Sequence, residues 1–258
     1  MSHGYLPSTL APDHYLLGKL EGPEIVKDGQ WERWLPADEL QKRNGLETSA
    51  CTSYGTLNAL EVLLRKQYGL RENFSERFAA TLTDTTREGN DPHRVIETIR
   101  KFSGLVPEKS LPFGEDIRRW DQYYTPVPFS LRLDGIKWLT QWEIGHEWVY
   151  DMNRASEEAK RSALMQALKF SPIGIAVNAW HKKNGLYYVN GYHNHWCLLY
   201  GYREGKWWEV FDHYDDTTKR LEWGYFYGQA KRYSIKPRET ALDPKFIIRS
   251  FQGLTGLY

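Results

Sequence analysis

Past Pro172 the chain changes character, and that change limits the folds open to it. IGIAV, GLYYV, HWCLLYGY and KWWEVFDHY are short runs of β-branched and aromatic residues, parted by Gly, Asn and Lys turn signals. Before that point the periodicity is helical. Over residues 51–68, Leu57, Leu60, Leu64 and Tyr68 recur at helical spacing, and Gly69 follows as a C-cap. A second helix is expected near 75–86. A third is opened by Asp91-Pro92 and ended by Ser103-Gly104, and a fourth over about 155–169 starts at Ser156 and two glutamates. Helices first and strands later predict an α+β protein with two segregated lobes, a helical one over about 45–125 and a β-rich one over about 170–240. Residues 1–30, rich in Pro, Gly and polar side chains without a sustained period, read as an irregular N-terminal arm; 31–258 read as one domain.

The net charge of +1 argues against an electrostatic binder of nucleic acid or membrane surfaces. The longest apolar runs fall short of the roughly 18 residues a spanning helix needs, and the N-terminus lacks the basic-then-apolar pattern of a signal peptide. Cys51 and Cys197 are the two cysteines, too few for a disulfide-stapled secreted scaffold. A cytoplasmic chain without cofactors is therefore expected. The 11 Trp and 17 Tyr suit cores and substrate clefts alike.

Cys51 stands at the predicted start of the strongest helix, where unpaired N–H groups and the macrodipole favour a thiolate. In GYHNHWCLLYGYREGKWWEVFDHYDD, His193, His195 and Cys197 alternate, as do Trp208, Val210 and Asp212 in what reads as the partner strand of a hairpin. Such a hairpin brings a carboxylate near a histidine. Thiol, imidazole and carboxylate are the parts of a nucleophilic hydrolase.

Cys51-Thr52-Ser53-Tyr54 opening a helix, His195 leading into WCLLYGY, and Asp212-His213-Tyr214 after an aromatic strand resemble the papain-like cysteine peptidase superfamily. The resemblance covers roughly 30–235 and implies a two-lobed fold, a helical lobe facing an antiparallel β-barrel-like lobe with the active site in the cleft between them. It assigns Cys51 as nucleophile, His195 as base and Asp212 as the residue orienting that base, where the family usually has Asn. For the oxyanion donor, Asn44 and Gln41 both stand open, since QKRNGLETSAC has no clean match to the family's Gln-Gly loop. Gly89, Asn90 and Asp91 correspond to the stretch lining the cleft. Asn194, Trp196 and Tyr214 flank the His and Asp positions as substrate-binding candidates, with Trp196 and Tyr214 as aromatic walls and His193 and His213 at the rim. The implied substrate is a peptide or protein, cleaved at a peptide or isopeptide bond. The absence of the family's disulfide cysteines and the loose loop before Cys51 look like phage and bacterial relatives, a resemblance that implies a virion-associated location and a larger assembly.

Rival readings stay open beside this one. His193-x-His195-x-Cys197 with Asp212 and His213 offers zinc-type ligands, yet no HExxH-type motif accompanies them and Cys51 is left without a role. An inactive binding or virion-structural module on the same fold is the other. The same thiol chemistry also serves amide transfer to an amine in place of water.

Overall fold

The strongest helical signal becomes the axis of the molecule: α1 spans Cys51–Tyr68. Gly69 ends it in the left-handed region at φ 69°, its N–H bonded to the Arg65 carbonyl and the Leu70 N–H to that of Leu64. Every residue of α1 from Cys51 to Leu64 is buried, so the helix threads the interior with no solvent face over that length. The computed structural model describes residues 4–9, 18, 20, 22–37, 40–215, 217–225 and 227–239.

Ahead of α1 a two-stranded hairpin pairs β1 (Lys42–Arg43) with β2 (Leu46–Glu47). Asn44 and Gly45 make its turn with φ of 56° and 78°, the left-handed pair that an Asn-Gly turn supplies. The next helices are α2 (Glu76–Leu82), whose Ser75 cap accepts from the Phe78 N–H, and α3 (Pro92–Thr98), capped by Asp91. The backbone runs on from α3 through a π-turn over Ile99–Ser103. A single turn, α4 (Trp120–Tyr123), and the longer α5 (Phe129–Gln141) complete the helical half.

Sequence reading places no element at α5 or at β3 (Trp142–Trp148), which follows it directly. The physical reason is a thin apolar stripe: α5 buries only Arg132, Gly135, Ile136 and Leu139, so its period is weak. One further helix, α6 (Glu157–Leu168), starts at Ser156 as its cap signal predicts.

The remaining strands are β4 (Ile173–Val177), β5 (His181–Lys183), β6 (Leu186–Tyr188), β7 (His195–Arg203), β8 (Trp207–Phe211), β9 (Thr218–Glu222) and β10 (Ala230–Pro237). With β3 they form one sheet in the order β3-β10-β4-β7-β8-β9-β6-β5, antiparallel except for the β6–β9 pair. This is an α+β protein. Leu57, Leu60, Leu63 and Leu64 of α1 join Ile173, Ile175, Leu198, Leu199 and Val210 of β4, β7 and β8 in one apolar core. Packing α1 on the central strands sets the start of the helix beside the start of β7 and the end of β8. The three residues singled out by sequence stand at those three points.

Candidate active site

Cys51 is the first residue of α1, and the preceding Ala50 supplies no side-chain cap. The first-turn N–H groups and the helix dipole therefore bear on the thiol directly. The approach is held by Glu47, whose Oε1 accepts from the Ser49 N–H at 3.0 Å and from Gln41 Nε2 at 2.7 Å. Thr48 Oγ1 donates to the Gln41 carbonyl at 3.0 Å, and Tyr124 donates to the Thr48 carbonyl at 2.7 Å. Burial pushes the Cys51 thiol up from its ordinary value, and hydrogen bonding and charge from His195 pull against it.

His195 opens β7, and Asp212 follows β8 directly. The pairing of Leu198 with Phe211, carried one step further, sets Asp212 opposite Cys197 and diagonal to His195. His195 Nε2 meets Asp212 Oδ1 at 2.6 Å with both side chains fully buried. Burial alone disfavours the imidazolium. The Asp212 charge and hydrogen bond overcome it and, with Cys51, raise the His195 pKa to about 10.

Asp212 has three further donors. The His213 backbone N–H reaches Oδ1 at 2.9 Å, and Trp180 Nε1 and Lys219 Nζ each reach Oδ2 at 2.8 Å. Against the penalty of burial, the charge and hydrogen bond of His195, and further the Lys219 ammonium, hold its carboxyl well below the usual carboxylate range. Trp180 lies in the turn between β4 and β5, its ring edge-on to His195 at 5.8 Å between centroids. Tyr214 stands edge-on to the same imidazole at 5.9 Å.

The other sequence candidates divide by location. Gln41 is fully buried, and its N–H donates to the His213 carbonyl at 2.7 Å. Asn44 turns its amide to the Gly114 and Ile117 carbonyls at 3.0 and 3.2 Å, bracing the hairpin against the helical half. The Asn194 N–H bonds the Val177 carbonyl, and Asn194 Oδ1 accepts from the Ala179 N–H. Trp196 is fully buried and packs with Cys51, Trp148 and Ala176. His193 precedes β7, outside the alternation, and packs against Gly228.

His213 is fully buried and stacked on Tyr54 at 5.1 Å. Burial first, together with the positive His195 and Lys219, lowers its pKa to about 3. A histidine neutral when folded and titrating near 6.5 when unfolded binds fewer protons in the native state across that window. Its contribution is intact above pH 6.5 and erodes as pH falls towards 3, by up to about 1.4 kcal/mol per pH unit. His213→Leu is therefore expected to flatten the loss of stability between pH 6.5 and 4.5 in urea unfolding. Parallel curves for the two proteins mean that His213 is charged in the fold.

Gly89, Asn90 and Asp91 line the N-terminal arm. The Asn90 N–H donates to the Gly4 carbonyl and the Leu6 N–H to the Asn90 carbonyl, both at 2.9 Å, so that Tyr5 runs parallel to residue 90. Asp91 accepts from the Ser8 hydroxyl while capping α3. The approach is close enough to need glycine on both sides. A Cβ on Gly89 would lie 2.0 Å from the Gly4 carbonyl oxygen, and one on Gly4 2.2 Å from that of Ser49. Tyr5 packs with Cys51, stacks on Trp196 at 5.7 Å and donates to Gln229 Oε1 at 2.9 Å. Cys51 has no exposed surface beneath this arm.

Sequence reading passes over Trp180 and Lys219. A signal for the lysine exists: β9 alternates exposed and buried, with Lys219 and Leu221 inward, and a lysine on the apolar side of a strand marks a buried ion pair. His195, Asp212 and His213 bring ligand atoms within 4.8 Å of one another, a possible metal set. The Lys219 ammonium already occupies the Asp212 carboxylate, and a dication there meets its repulsion. His193 is outside that set.

No protein-family profile matches the sequence, and no curated protein does. Solved structures match through the fold. A digestive procathepsin L 3 from the larval midgut of Tenebrio molitor superposes with a TM-score of 0.54 at 15% identity, over 86% of this chain and 73% of that one. Bromelain protease from Ananas comosus gives 0.51 at 18%, over 80% and 97%. The cysteine protease and lectin-like domains of Cwp84, a surface-layer-associated protein of Clostridium difficile, give 0.60 at 11% over 93% of this chain, which spans 57% of that structure. The chain has the fold of the papain-like cysteine proteases.

Proposed function

We propose that this chain is a cysteine peptidase acting on peptide or isopeptide bonds through Cys51, His195 and Asp212. The observation carrying the reading is a thiol at an uncapped helix N-terminus against an imidazole whose far nitrogen is fixed by a buried carboxylate. The papain-like fold supports it. So does the backbone pairing at Asn90, where the arm lies as an extended segment beside the thiol.

In the mechanism, Cys51 and His195 act as a thiolate–imidazolium pair, the imidazolium carrying the thiol's proton, and the thiolate adds to the scissile carbonyl carbon. The oxyanion is met by N–H groups at the start of α1. Gln41 is the better placed of the two amide candidates, because it is tied to Glu47 and His213 beside the site while Asn44 is committed elsewhere. His195 returns the proton to the departing amine nitrogen, the C–N bond breaks and a thioester remains. Water then adds to the thioester, with His195 taking its proton. The C–S bond breaks and releases the acid, and the thiolate–imidazolium pair is restored. Asp212 holds the ring orientation throughout.

The test is intact-protein mass after exposure to iodoacetamide or a thiol-directed peptidyl epoxide, with wild type, Cys51→Ser and His195→Ala compared. Modification at Cys51 that is lost in His195→Ala, with Cys197 unmodified, is expected. Labelling at the rate of an ordinary thiol, unchanged by the His195 substitution, refutes the reading and points to a binding module on this fold.

A further inference from the structure

Asp212 is a carboxylate buried beside an imidazole that must both hold and release a proton. In a site of low dielectric, an unscreened carboxylate binds an imidazolium tightly and resists its deprotonation. The structure offers a counterweight on the far side of the carboxylate. Lys219 comes from β9, two strands away from His195, with its side chain fully buried. Its Nζ lies 2.8 Å from Asp212 Oδ2, while His195 Nε2 takes Oδ1. Trp180 shares Oδ2 and also sits under the ammonium, with Nζ 5.1 Å from the ring centroid, so both the charge and the indole screen this oxygen from solvent.

We propose that Lys219 is a positioning residue whose ammonium forms with Asp212 a unit in which the carboxylate's charge towards His195 is offset. The unit orients His195 by a hydrogen bond without holding its proton too firmly for delivery to a leaving amine. The inference rests on the peptidase reading above and assigns that site a fourth member. Other titratable groups bear on the pair: Cys51 from α1, Cys197 from β7, and His213 and Asp215 from the turn after β8. Asp215, half-exposed, bonds Lys219 from the other side.

The arrangement sets opposite expectations for two single variants. Without the ammonium, the carboxylate faces His195 with its full charge and the imidazolium is held more firmly. Without the carboxylate charge, the ammonium faces the imidazolium and opposes it. Removing both restores the balance. A lysine serving only to fill space predicts none of these directions.

The experiment follows the His195 ring by NMR against pH in the full-length chain and measures peptide hydrolysis on the same samples. The variants are Lys219→Met, Lys219→Arg, Asp212→Asn and Asp212→Asn/Lys219→Met. Lys219→Met is expected to raise the His195 midpoint by about one pH unit, a tenfold change in proton affinity, and to lower kcat about tenfold with little change in KM. Lys219→Arg is expected to keep the wild-type midpoint. Asp212→Asn is expected to titrate about one pH unit below the double variant. If Lys219→Met does not fold, or its midpoint lies beyond the alkaline limit of the fold, the Asp212→Asn pair decides alone. Coincident midpoints in that pair, or a wild-type midpoint in folded Lys219→Met, overturn the inference even if the protein cleaves peptide. Midpoints that move as described in a protein that cleaves nothing uphold the charge pairing and overturn the peptidase reading.

Discussion

Removal of residues 1–9 is expected to raise the rate of Cys51 alkylation by about 10²-fold while leaving Cys197 as slow as before. The expectation follows from what the arm does in the folded chain. Tyr5 is 4% exposed, stacked on Trp196 and bonded to Gln229. Gln229 also accepts from the Ser8 N–H at 2.8 Å and donates to the Ser8 carbonyl at 2.6 Å, a reciprocal pair that anchors the arm beyond the cleft. Burying one tyrosine side chain and forming several hydrogen bonds stabilises the closed arm, offset by about 1–2 kcal/mol of backbone ordering for each residue. A rate change of about 10²-fold corresponds to a closed arm favoured over the open one by about 3 kcal/mol. Gly89→Ala offers the same result without shortening the chain, because its Cβ would strike the Gly4 carbonyl. Equal alkylation rates in all three proteins mean that the arm does not govern access. Cys197 is the internal control: it lies within β7, fully buried, and burial pushes its thiol well above the ordinary value.

The parts of this site legible in the sequence are those set by local rules. The boundaries of α1 follow from one helical stripe and one glycine, and Cys51 falls at its start for that reason. His195 and Asp212 meet because consecutive strands pair as a hairpin with its turn at 204–206, which alternation and turn residues announce. What the sequence did not disclose depends on pairing between distant segments. Lys219 reaches Asp212 within one meander, but its inward face is apparent only once the register of β9 on β8 is known. Trp180 reaches it from a turn 32 residues upstream of Asp212. The arm contacts residues 90 and 229 through backbone and a single tyrosine, and an aperiodic segment carries no signal for such contacts. Likewise the alternation His193-x-His195-x-Cys197 suggests a shared strand face, yet β7 begins at His195 and leaves His193 in the preceding loop.

Cys51→Ala, His195→Ala and the double variant are expected to lose peptide hydrolysis by a similar factor, on the order of 10³ or more, without adding. In the proposed mechanism the two side chains act in one step. The thiol needs the imidazole to accept its proton, and the imidazole moves nothing useful without the thiol. Non-additivity is thus the signature of a shared transition state, whereas two residues that each support the fold lose stability independently. The structural cost differs in kind between them. Cys51→Ala removes one sulfur from a cluster of Tyr5, Trp148, Ala176 and Trp196, and the fold should tolerate it. His195→Ala deprives Asp212 of one of four donors while Lys219, Trp180 and the His213 N–H remain, so the buried carboxylate stays paired. Both variants are therefore expected to unfold cooperatively, which urea titration checks alongside the hydrolysis rates. The pH dependence separates them further. His195 is raised to about 10 in the fold, so its contribution to stability is complete below pH 6.5 and declines as pH rises from there to about 10. The stability difference between wild type and His195→Ala should shrink across that interval. A difference that stays constant from pH 6.5 to 10 means that the imidazole is not held charged by Asp212.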